Sequence, residues 1–290
     1  MNVLSLFDGI SCGRVALERA GCKVSSYYAS EVDKHAIKAT QTNYPDTVQL
    51  GDVNHINNFP SVDLLIGGSP CQGFSFAGKG LNFEDPRSKL FFEFVRVLEE
   101  TKPKFFLMEN TMMIQKSRDI ISSYLGVQPV MIDSSLVSAQ TRKRLYWANF
   151  PIEQPIDKQI EIGDILNEST LYPVQRPAAI RGRKIDKYGN MRNLPKDHPT
   201  IQCLEVSNGN KMHCLTTLDK NTIVTWLPPG RYVDAYNINY PYRPLNRIER
   251  LKLMGLPVGY LRTMTRNQMV KATGNAWQVD TVAHIFSHIK

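Results

Sequence analysis

The sequence predicts an α/β protein with a doubly wound, mainly parallel sheet, and three observations support this prediction. In the first 150 residues, short apolar runs typical of buried strands alternate with stretches of helical spacing. Glycines or acidic residues follow several of these runs, as they do in loops at the carboxyl edge of a parallel sheet. A hydrophobic content of 42% over 290 residues suffices for one large domain, or for one large and one small domain.

The predicted elements follow one another in the order that β-α-β units require. Strands are predicted at residues 2–7, 25–30, 62–66, 104–108, 130–132 and 145–148. Helices are predicted at residues 14–20, 33–43 and 90–100, and Gly21 ends the first of them. Because crossover helices connect parallel strands, this order predicts a sheet with helices on both faces.

The chain changes character after Pro151. Residues 176–197 carry seven Lys or Arg and two Asp, a local net charge of +5, and prolines are frequent nearby. Helical spacing returns at residues 245–256 and again at residues 278–288. The sequence therefore predicts a sheet domain over residues 1–150, a small, loop-rich region over 151–240, and a segment over 241–290 that returns to the first domain.

Composition and charge exclude some classes of protein. The net charge of +8 favours a polyanionic partner, but many basic proteins bind no nucleic acid. The five cysteines are odd in number and form no C-x-x-C pair, which argues against a disulfide framework and a zinc site, so no metal is expected. Neither a membrane-spanning run nor a basic signal-type N-terminus is present. A reducing cytoplasm is the expected location.

A candidate ligand site begins at residues 7–13, between the first predicted strand and helix. The pattern is G-x-x-x-G, so a plain turn remains an alternative to a nucleotide-binding loop. Glu31 follows the second strand, eighteen residues after Gly13, where a carboxylate can bind ribose hydroxyls. Asp52 follows the apparent third strand and is a candidate partner for an adenine amino group. Either acid could instead be a helix N-cap.

A second candidate site is the loop around Cys71. This thiol lies in Gly67-Gly68-Ser69-Pro70-Cys71-Gln72-Gly73, directly after a buried strand. A single cysteine is usually an inert small apolar residue, but a loop bounded by glycine and proline can present a nucleophile. A catalytic thiol and a structural one are equally compatible with this segment alone.

Two further segments carry chemistry at the ends of later strands. Glu109 ends the strand after the Cys71 loop, so adjacent strands would place the two side chains close together. The alternative is that Glu109 only caps the next helix. Arg142 and Arg144 alternate along an extended segment and so share one side, where they could meet Glu109 or a substrate carbonyl. A solvated basic strand end is the alternative.

Taken together, these segments resemble the cytosine-C5 DNA methyltransferases. Five segments resemble the family's motifs and occur in its order: Phe7-Asp8-Gly9, Pro70-Cys71-Gln72, Glu109-Asn110, Gln140-x-Arg142-x-Arg144 and Gly274-Asn275-Ala276. Thr111 stands where the family has valine. Local similarity at residues 90–94, 129–133 and Trp277 is greatest to the catalytic domain of the animal de novo DNA methyltransferases. A stand-alone bacterial or phage enzyme is consistent with this.

The resemblance implies a Rossmann-like methyltransferase fold that uses S-adenosylmethionine, with residues 151–240 as a target-recognition region. It implies a catalytic set of Cys71, Glu109, Arg142 and Arg144. The implied cofactor pocket comprises Phe7, Asp8, Gly9, Ile10, Ser11, Cys12, Glu31, Val32, Asp52, Val53, Pro70, Asn275, Ala276 and Trp277. The expected contacts to double-stranded DNA are Gln72, Ser75, Arg181, Arg183, Lys184, Lys187 and Arg192.

Three other functions compete with this interpretation. An RNA cytosine-C5 methyltransferase of the tRNA-modifying branch would use the same catalytic groups. A non-catalytic homologue that only binds nucleic acid is disfavoured by the intact Cys71, Glu109 and Arg144. A nicotinamide dehydrogenase is disfavoured by the incomplete glycine motif and by the Pro70-Cys71 loop. Restriction-modification, phage self-protection and gene regulation all remain open as biological roles.

Overall fold

The computed structural model of the chain describes residues 1–70, 89–166, 175–185, 195, 197–233 and 241–289. The larger of its two sheets has seven strands in the order β3-β2-β1-β4-β5-β7-β6. These strands are β1 (Asn2–Leu6), β2 (Ser26–Ser30), β3 (Val48–Gln49), β4 (Leu64–Gly68), β5 (Phe105–Thr111), β6 (Val130–Asp133) and β7 (Lys143–Ala148).

The first five strands are parallel to one another, and β7 is antiparallel to both of its neighbours, β5 and β6. A short connection joins β6 to β7, and such a connection can join antiparallel strands without a crossover helix. The predicted doubly wound α/β fold is confirmed, with one antiparallel strand inserted near its edge.

Seven α-helices are present in the described part of the chain. They are α1 (Cys12–Arg19), α2 (Lys34–Asn43), α3 (Lys89–Thr101), α4 (Gln115–Leu125), α5 (Arg247–Met254), α6 (Arg266–Asn275) and α7 (Val279–Phe286). Two apolar cores flank the large sheet. One contains residues of α1, α2 and α7, and the other contains residues of α3 and α4. Apolar strand residues contribute to both cores, as expected for a sheet buried on both faces.

The second sheet has five antiparallel strands in the order β11-β9-β8-β10-β12. They are β8 (Arg176–Lys184), β9 (Thr200–Val206), β10 (Ile223–Thr225), β11 (Gly230–Val233) and β12 (Tyr242–Pro244). One face buries a small core of Ala178, Ile180, Leu204, Val206 and Ile223. The region is thus more regular than its prolines suggested, because arginines at alternate positions of β8 mask the apolar face in the sequence.

The C-terminal segment packs against the start of the chain. The Tyr260 hydroxyl donates a hydrogen bond to the Ile10 carbonyl at 2.8 Å. Arg19 at the end of α1 forms an ion pair with Asp280 of α7. These contacts hold the loop after β1 against residues that lie more than 200 positions later in the chain. None of the helices that the structure describes is both long and apolar enough to span a membrane.

Candidate active site

A cleft of about 780 Å³ lies at the carboxyl edge of the large sheet. The loops after β1, β2, β4 and β5 line it, together with the end of α6. This edge is where open α/β sheets bind ligands, because the loops after neighbouring parallel strands converge there. Of the fourteen residues expected in a cofactor pocket, the cleft is lined by thirteen: Phe7, Asp8, Gly9, Ile10, Cys12, Glu31, Val32, Asp52, Val53, Pro70, Asn275, Ala276 and Trp277.

The loop after β1 has an unusual backbone. Phe7, Gly9 and Ser11 all have φ between 55° and 59°, in the left-handed region that non-glycine residues rarely adopt. Such strained conformations cluster at functional sites. Ser11, the fourteenth expected residue, is fully buried, and its hydroxyl hydrogen-bonds to the Asp8 carboxylate and to the Thr40 hydroxyl. Ser11 therefore supports the loop from behind and does not line the cleft.

Asp8 is an acid held in an apolar surrounding. Burial raises the pKa of Asp8 to about 6, although hydrogen bonds from Ser11, Ser5 and Tyr27 act in the opposite direction. The Tyr27 hydroxyl donates to Asp8 Oδ1 at 2.8 Å. A positively charged neighbour would stabilise the ionised form of this carboxyl group and so lower its raised pKa.

Glu31 and Val32 present two kinds of surface to the cleft. The Glu31 carboxylate accepts backbone hydrogen bonds from Gly9 at 2.7 Å, Val32 at 2.7 Å and Asp33 at 2.8 Å. These bonds fix the carboxylate and attach it to the loop after β1. The Val32 side chain is 70% exposed, although it is a large apolar residue. A fixed acceptor beside an exposed apolar surface suits a ligand that carries both hydroxyls and a flat ring.

Asp52 does serve as a cap, which was one of the two alternatives for this acid. Its Oδ1 atom accepts hydrogen bonds from the Asn54 backbone at 3.0 Å and from the Asn54 side chain at 2.7 Å. The first of these bonds caps the short 3-10 turn Val53–His55 and contributes most to lowering the pKa of Asp52. Asp52 still lines the cleft, so capping orients its carboxylate at the cleft wall.

Glu109 is held by two donors on its two carboxylate oxygens. Arg144 Nε lies 2.9 Å from Oε1, and Trp277 Nε1 donates to Oε2 at 3.1 Å. Glu109 is 9% exposed. Gly68 of β4 pairs directly with Glu109, and a Cβ at Gly68 would lie 2.8 Å from both Glu109 Oε2 and Trp277 Nε1. A glycine in β4 therefore makes room for the Glu109–Trp277 contact.

Arg144 reaches Glu109 because β7 is antiparallel to β5, with Arg144 paired to Thr111 and Tyr146 paired to Glu109. The Arg144 side chain is 15% exposed, so it is not a solvated strand end. Glu109 and Arg144 are thus a buried pair at the cleft wall, and both line the cleft.

Arg142 has a different environment from Arg144. Its guanidinium donates to the carbonyls of Leu215 at 3.1 Å, Gly274 at 3.1 Å and Ala276 at 2.7 Å. It also lies 3.1 Å from the sulfur of Cys214. It makes no hydrogen bond to Glu109 in the described structure. Arg142 therefore connects the segment before Trp277 to the start of β7.

The remaining expected residues separate into two groups. Arg181, Arg183 and Lys184 lie on β8 in the second sheet and do not line the cleft. Cys71, Gln72, Ser75, Lys187 and Arg192 lie outside the described residues. Pro70, which immediately precedes Cys71, lines the cleft.

Sequence reasoning missed several contributors to this site. The hydrogen bond from Trp277 to Glu109 spans 168 positions, and no local pattern signals it. Cys214 and Leu215, which contact Arg142, lie in a segment without a recognisable motif. Asn110 is buried and donates to Ser69 Oγ at 3.1 Å, which ties the end of β5 to the loop after β4.

Comparison with known proteins agrees with this geometry. The family model described as C-5 cytosine-specific DNA methylase matches residues 1–290. The Type II methyltransferase M1.ScrFI of Lactococcus lactis subsp. cremoris is 29% identical, over 97% of this chain and 76% of that protein. The Type II methyltransferase M.HgiCI of Herpetosiphon aurantiacus is 30% identical, over 73% of this chain but only 59% of that protein.

A solved structure shows the same fold. The structure of a Spodoptera frugiperda DNMT2 mutant superimposes with a TM-score of 0.65 and 18% identity, covering 97% of each chain. At this identity the likeness concerns the fold alone. The family match covers every residue of the chain. The chain therefore belongs to the C-5 cytosine-specific DNA methylase family.

Proposed function

We propose that this DNA (cytosine-5-)-methyltransferase transfers a methyl group from S-adenosylmethionine to C5 of a cytosine that is flipped out of double-stranded DNA. The observation that carries the proposal is the Glu109–Arg144–Trp277 contact at the cleft wall, one strand away from Pro70, the residue before Cys71 in the sequence. An acid and a cation in this arrangement can give a proton to a heterocycle and stabilise the charge that develops on it. Pro70 lines the same cleft, and Cys71 follows it directly in the sequence.

The cleft fits S-adenosylmethionine by the chemistry of its residues. Glu31 would accept hydrogen bonds from the ribose hydroxyls, and the exposed Val32 side chain would pack on the adenine. Asp52 would accept a hydrogen bond from the adenine amino group. Asp8, with its raised pKa, suits a ligand that carries positive charge. Residues 7–10, Cys12, Val53, Pro70 and 275–277 would enclose the rest of the molecule.

The chemical problem is that C5 of cytosine is a weak nucleophile, and covalent addition at C6 solves it. In the proposed mechanism the Cys71 thiolate forms a bond to C6, the C5–C6 π electrons form a C4–C5 double bond, and the C4–N3 π electrons move to N3, which takes up a proton. S-adenosylmethionine would supply an electrophilic methyl group, which C5 accepts while S-adenosylhomocysteine leaves. A base then removes the C5 proton, which re-forms the C5–C6 double bond and expels Cys71 as thiolate, so the enzyme returns to its starting state.

Glu109 would move the proton that this addition requires. In its protonated form it would give a proton to N3 as Cys71 adds, and it would recover the proton when Cys71 leaves. Arg144 would hydrogen-bond the O2 carbonyl while it stays paired with Glu109. Trp277 orients the second oxygen of Glu109, and Arg142 holds the Ala276 carbonyl next to Trp277.

The target base must leave the stacked duplex, because C5 and C6 are inaccessible within it. Gln72 and Ser75 follow the thiol directly, and we propose that they contact the DNA around the displaced base. Arg181, Arg183, Lys184, Lys187 and Arg192 would contact phosphates or base edges. Arg181 and Arg183 lie on β8, the central strand of the second sheet.

A methyl-transfer assay tests this proposal. Purified protein with labelled S-adenosylmethionine should label duplex DNA, and bisulfite sequencing should locate the label at cytosine. The same assay on tRNA should give no label above background. Label on tRNA but not on duplex DNA would contradict the proposed substrate. Absence of label on both, with S-adenosylmethionine binding intact, would indicate a non-catalytic homologue.

A further inference from the structure

Three arginines surround one glutamate on the second sheet. Arg183 donates to Glu205 through Nε at 2.7 Å and through Nη2 at 2.8 Å. Arg181 Nη1 lies 3.3 Å from Glu205, and Arg231 Nε lies 3.5 Å from it. We call these four residues the Glu205 cluster. Its three cations and one anion leave a net charge of +2.

The pairing of the strands produces this cluster. Glu205 lies on β9 between β8 and β11, directly opposite Ala179 on one side and Arg231 on the other. Arg181 and Arg183 lie two and four positions after Ala179, so all three share a face of β8. The opposite face packs the small core of the second sheet. The cluster therefore lies on the face that is turned away from this core.

The cluster is better suited to binding a ligand than to stabilising the sheet. Its guanidinium groups are 30–38% exposed, and pairs with this much exposure contribute little to folding. One carboxylate cannot neutralise three cations, which also repel each other. Burial would raise the pKa of Glu205, but Arg183 and its two neighbours hold it below the usual value, so the carboxylate stays charged. Among the described residues, the cluster thus keeps positive charge that Glu205 does not neutralise.

The cluster is linked to the catalytic cleft through two consecutive residues. His213 lies in the field of both Arg181 and Glu205, while Cys214 next to it lies 3.1 Å from Arg142 Nη1. Arg144 Nη2 is 4.0 Å from the same sulfur. The segment that contacts Arg142 at the cleft wall is therefore also the segment that lies near the cluster.

We propose that the Glu205 cluster reads a guanine in the recognised DNA sequence, and that Glu205 is the residue that positions the arginines for this. The inference rests on the function proposed above. Arginine forks pair with O6 and N7 of guanine in the major groove. Arg183 uses Nε and Nη2 for Glu205, and no residue in the described structure accepts a hydrogen bond from its Nη1. All three guanidinium groups contact the Glu205 carboxylate, which only accepts hydrogen bonds. The donors that O6 and N7 of guanine require must therefore come from the arginines.

The variant Glu205→Gln tests this inference because it should strengthen nonspecific DNA binding and at the same time weaken sequence discrimination. Removal of the negative charge should strengthen binding to duplexes that lack the recognised sequence, as measured at low salt. Loss of the ionic clamp should weaken discrimination at a guanine position by roughly 5- to 150-fold. Bisulfite sequencing of a methylated random-sequence library measures this discrimination at every position. Thermal melting checks that the variant is folded.

Two further variants separate positioning from charge. Arg183→Lys keeps the charge but loses the planar fork, so it should relax the same guanine position while the salt dependence of DNA binding stays unchanged. Glu100→Gln on α3 is the matched control, because it also removes a carboxylate paired with an arginine, at 3.1 Å from Arg96. The control should methylate the same sequences as the wild type.

The possible results distinguish this inference from the proposed function. If the wild type methylates no DNA, the proposed function fails and the inference fails with it. If the wild type methylates a defined sequence in which no guanine is required other than the pairing partner of the target cytosine, the inference alone is wrong. It is also wrong if Glu205→Gln and Arg183→Lys both keep the wild-type sequence preference.

Discussion

Each carboxylate oxygen of Glu109 has its own N–H donor. Arg144 approaches Oε1 as a cation, and the Trp277 indole donates to Oε2 as a neutral group. This arrangement orients the acid without surrounding it with positive charge. A group that must give and recover a proton at one ring nitrogen requires such a fixed orientation.

We expect Glu109→Gln to reduce the rate of methyl transfer by about 100-fold or more, because glutamine keeps the shape but cannot give a proton. Binding of S-adenosylmethionine should change little. Single-turnover methyl transfer and calorimetry measure the two quantities. Glu153→Gln, which removes a carboxylate that is 75% exposed, is a control that should leave both unchanged. A Glu109→Gln enzyme with wild-type single-turnover kinetics would contradict the assigned role.

Asp8 gives a prediction for the pH dependence of folding. Its pKa is about 6 in the folded protein and 3.8 in a model peptide, so the folded state retains the proton more strongly. The stabilisation from this proton is complete below pH 3.8 and is lost as the pH rises through 6. The stability of Asp8→Asn relative to wild type should therefore increase by up to about 3 kcal/mol between pH 4 and pH 8. Denaturant unfolding of both proteins measures it, and a constant difference would refute this account of Asp8.

Individual site residues differ in how far the sequence could predict their positions. Glu31 follows β2 and Glu109 lies near the end of β5, and the order of strands alone brings them to one edge of the sheet. The two roles of Asp52 were both foreseeable, since a residue can cap a turn and line a cleft. The backbone contacts of Arg142 could not be predicted, because they depend on how residues 214–215 and 274–276 pack against β7. The catalytic assignment of Cys71 stays a prediction.

At the scale of elements, the end of α6 determines the position of Trp277. Gly274 lies against the backbone of residues 216–217, and a Cβ there would lie 2.4–2.7 Å from their atoms. Glycine inside a helix costs about 1 kcal/mol relative to alanine. This close approach explains why the helix contains it. The carbonyls of Gly274 and Ala276 then meet Arg142, which fixes the path of the chain into Trp277.

We expect Gly274→Ala to destabilise the protein by about 1–3 kcal/mol, because backbone atoms cannot move aside as a flexible side chain can. The displaced Trp277 should also slow methyl transfer. Gly163→Ala is the matched control, since a Cβ at Gly163 meets nothing within 4 Å. Chemical denaturation measures both variants. Equal stability of Gly274→Ala and wild type would show that α6 and residues 216–217 can move apart.

The elements that the sequence failed to predict lack a clear local signal, for two different reasons. Helix α4 begins after Ile114, which cannot cap a helix with its side chain. The strands of the second sheet bury one face only, and β8 carries Arg181 and Arg183 on the other face. Long-range pairing stabilises these strands more than local propensity does. The main sheet was easier to predict, because strands that are buried on both faces form continuous apolar runs.

At the scale of the molecule, both ends of the chain build one site. Residues 7–10 and Cys12 near the end of β1 and residues 275–277 at the end of α6 line the same cleft, and contacts from Tyr260 and Asp280 to the first loop and α1 hold the two ends together. The second sheet lies between these segments in sequence, and Cys214, in the connection between β9 and β10, contacts Arg142 at the cleft.

The whole account depends on a covalent bond between Cys71 and C6 of the target cytosine. Fluorine at C5 cannot leave as a proton does, so methylation of 5-fluorocytosine should leave the enzyme bonded to its DNA. Denaturing electrophoresis with a duplex library that contains 5-fluorocytosine measures this complex directly. The complex should require S-adenosylmethionine and should be absent for Cys71→Ser, because a hydroxyl ionises far less than a thiol. Cys22→Ser, which changes a thiol outside the cleft, should retain it. A Cys71→Ser protein that forms the complex, or methylates at the wild-type rate, would contradict the account.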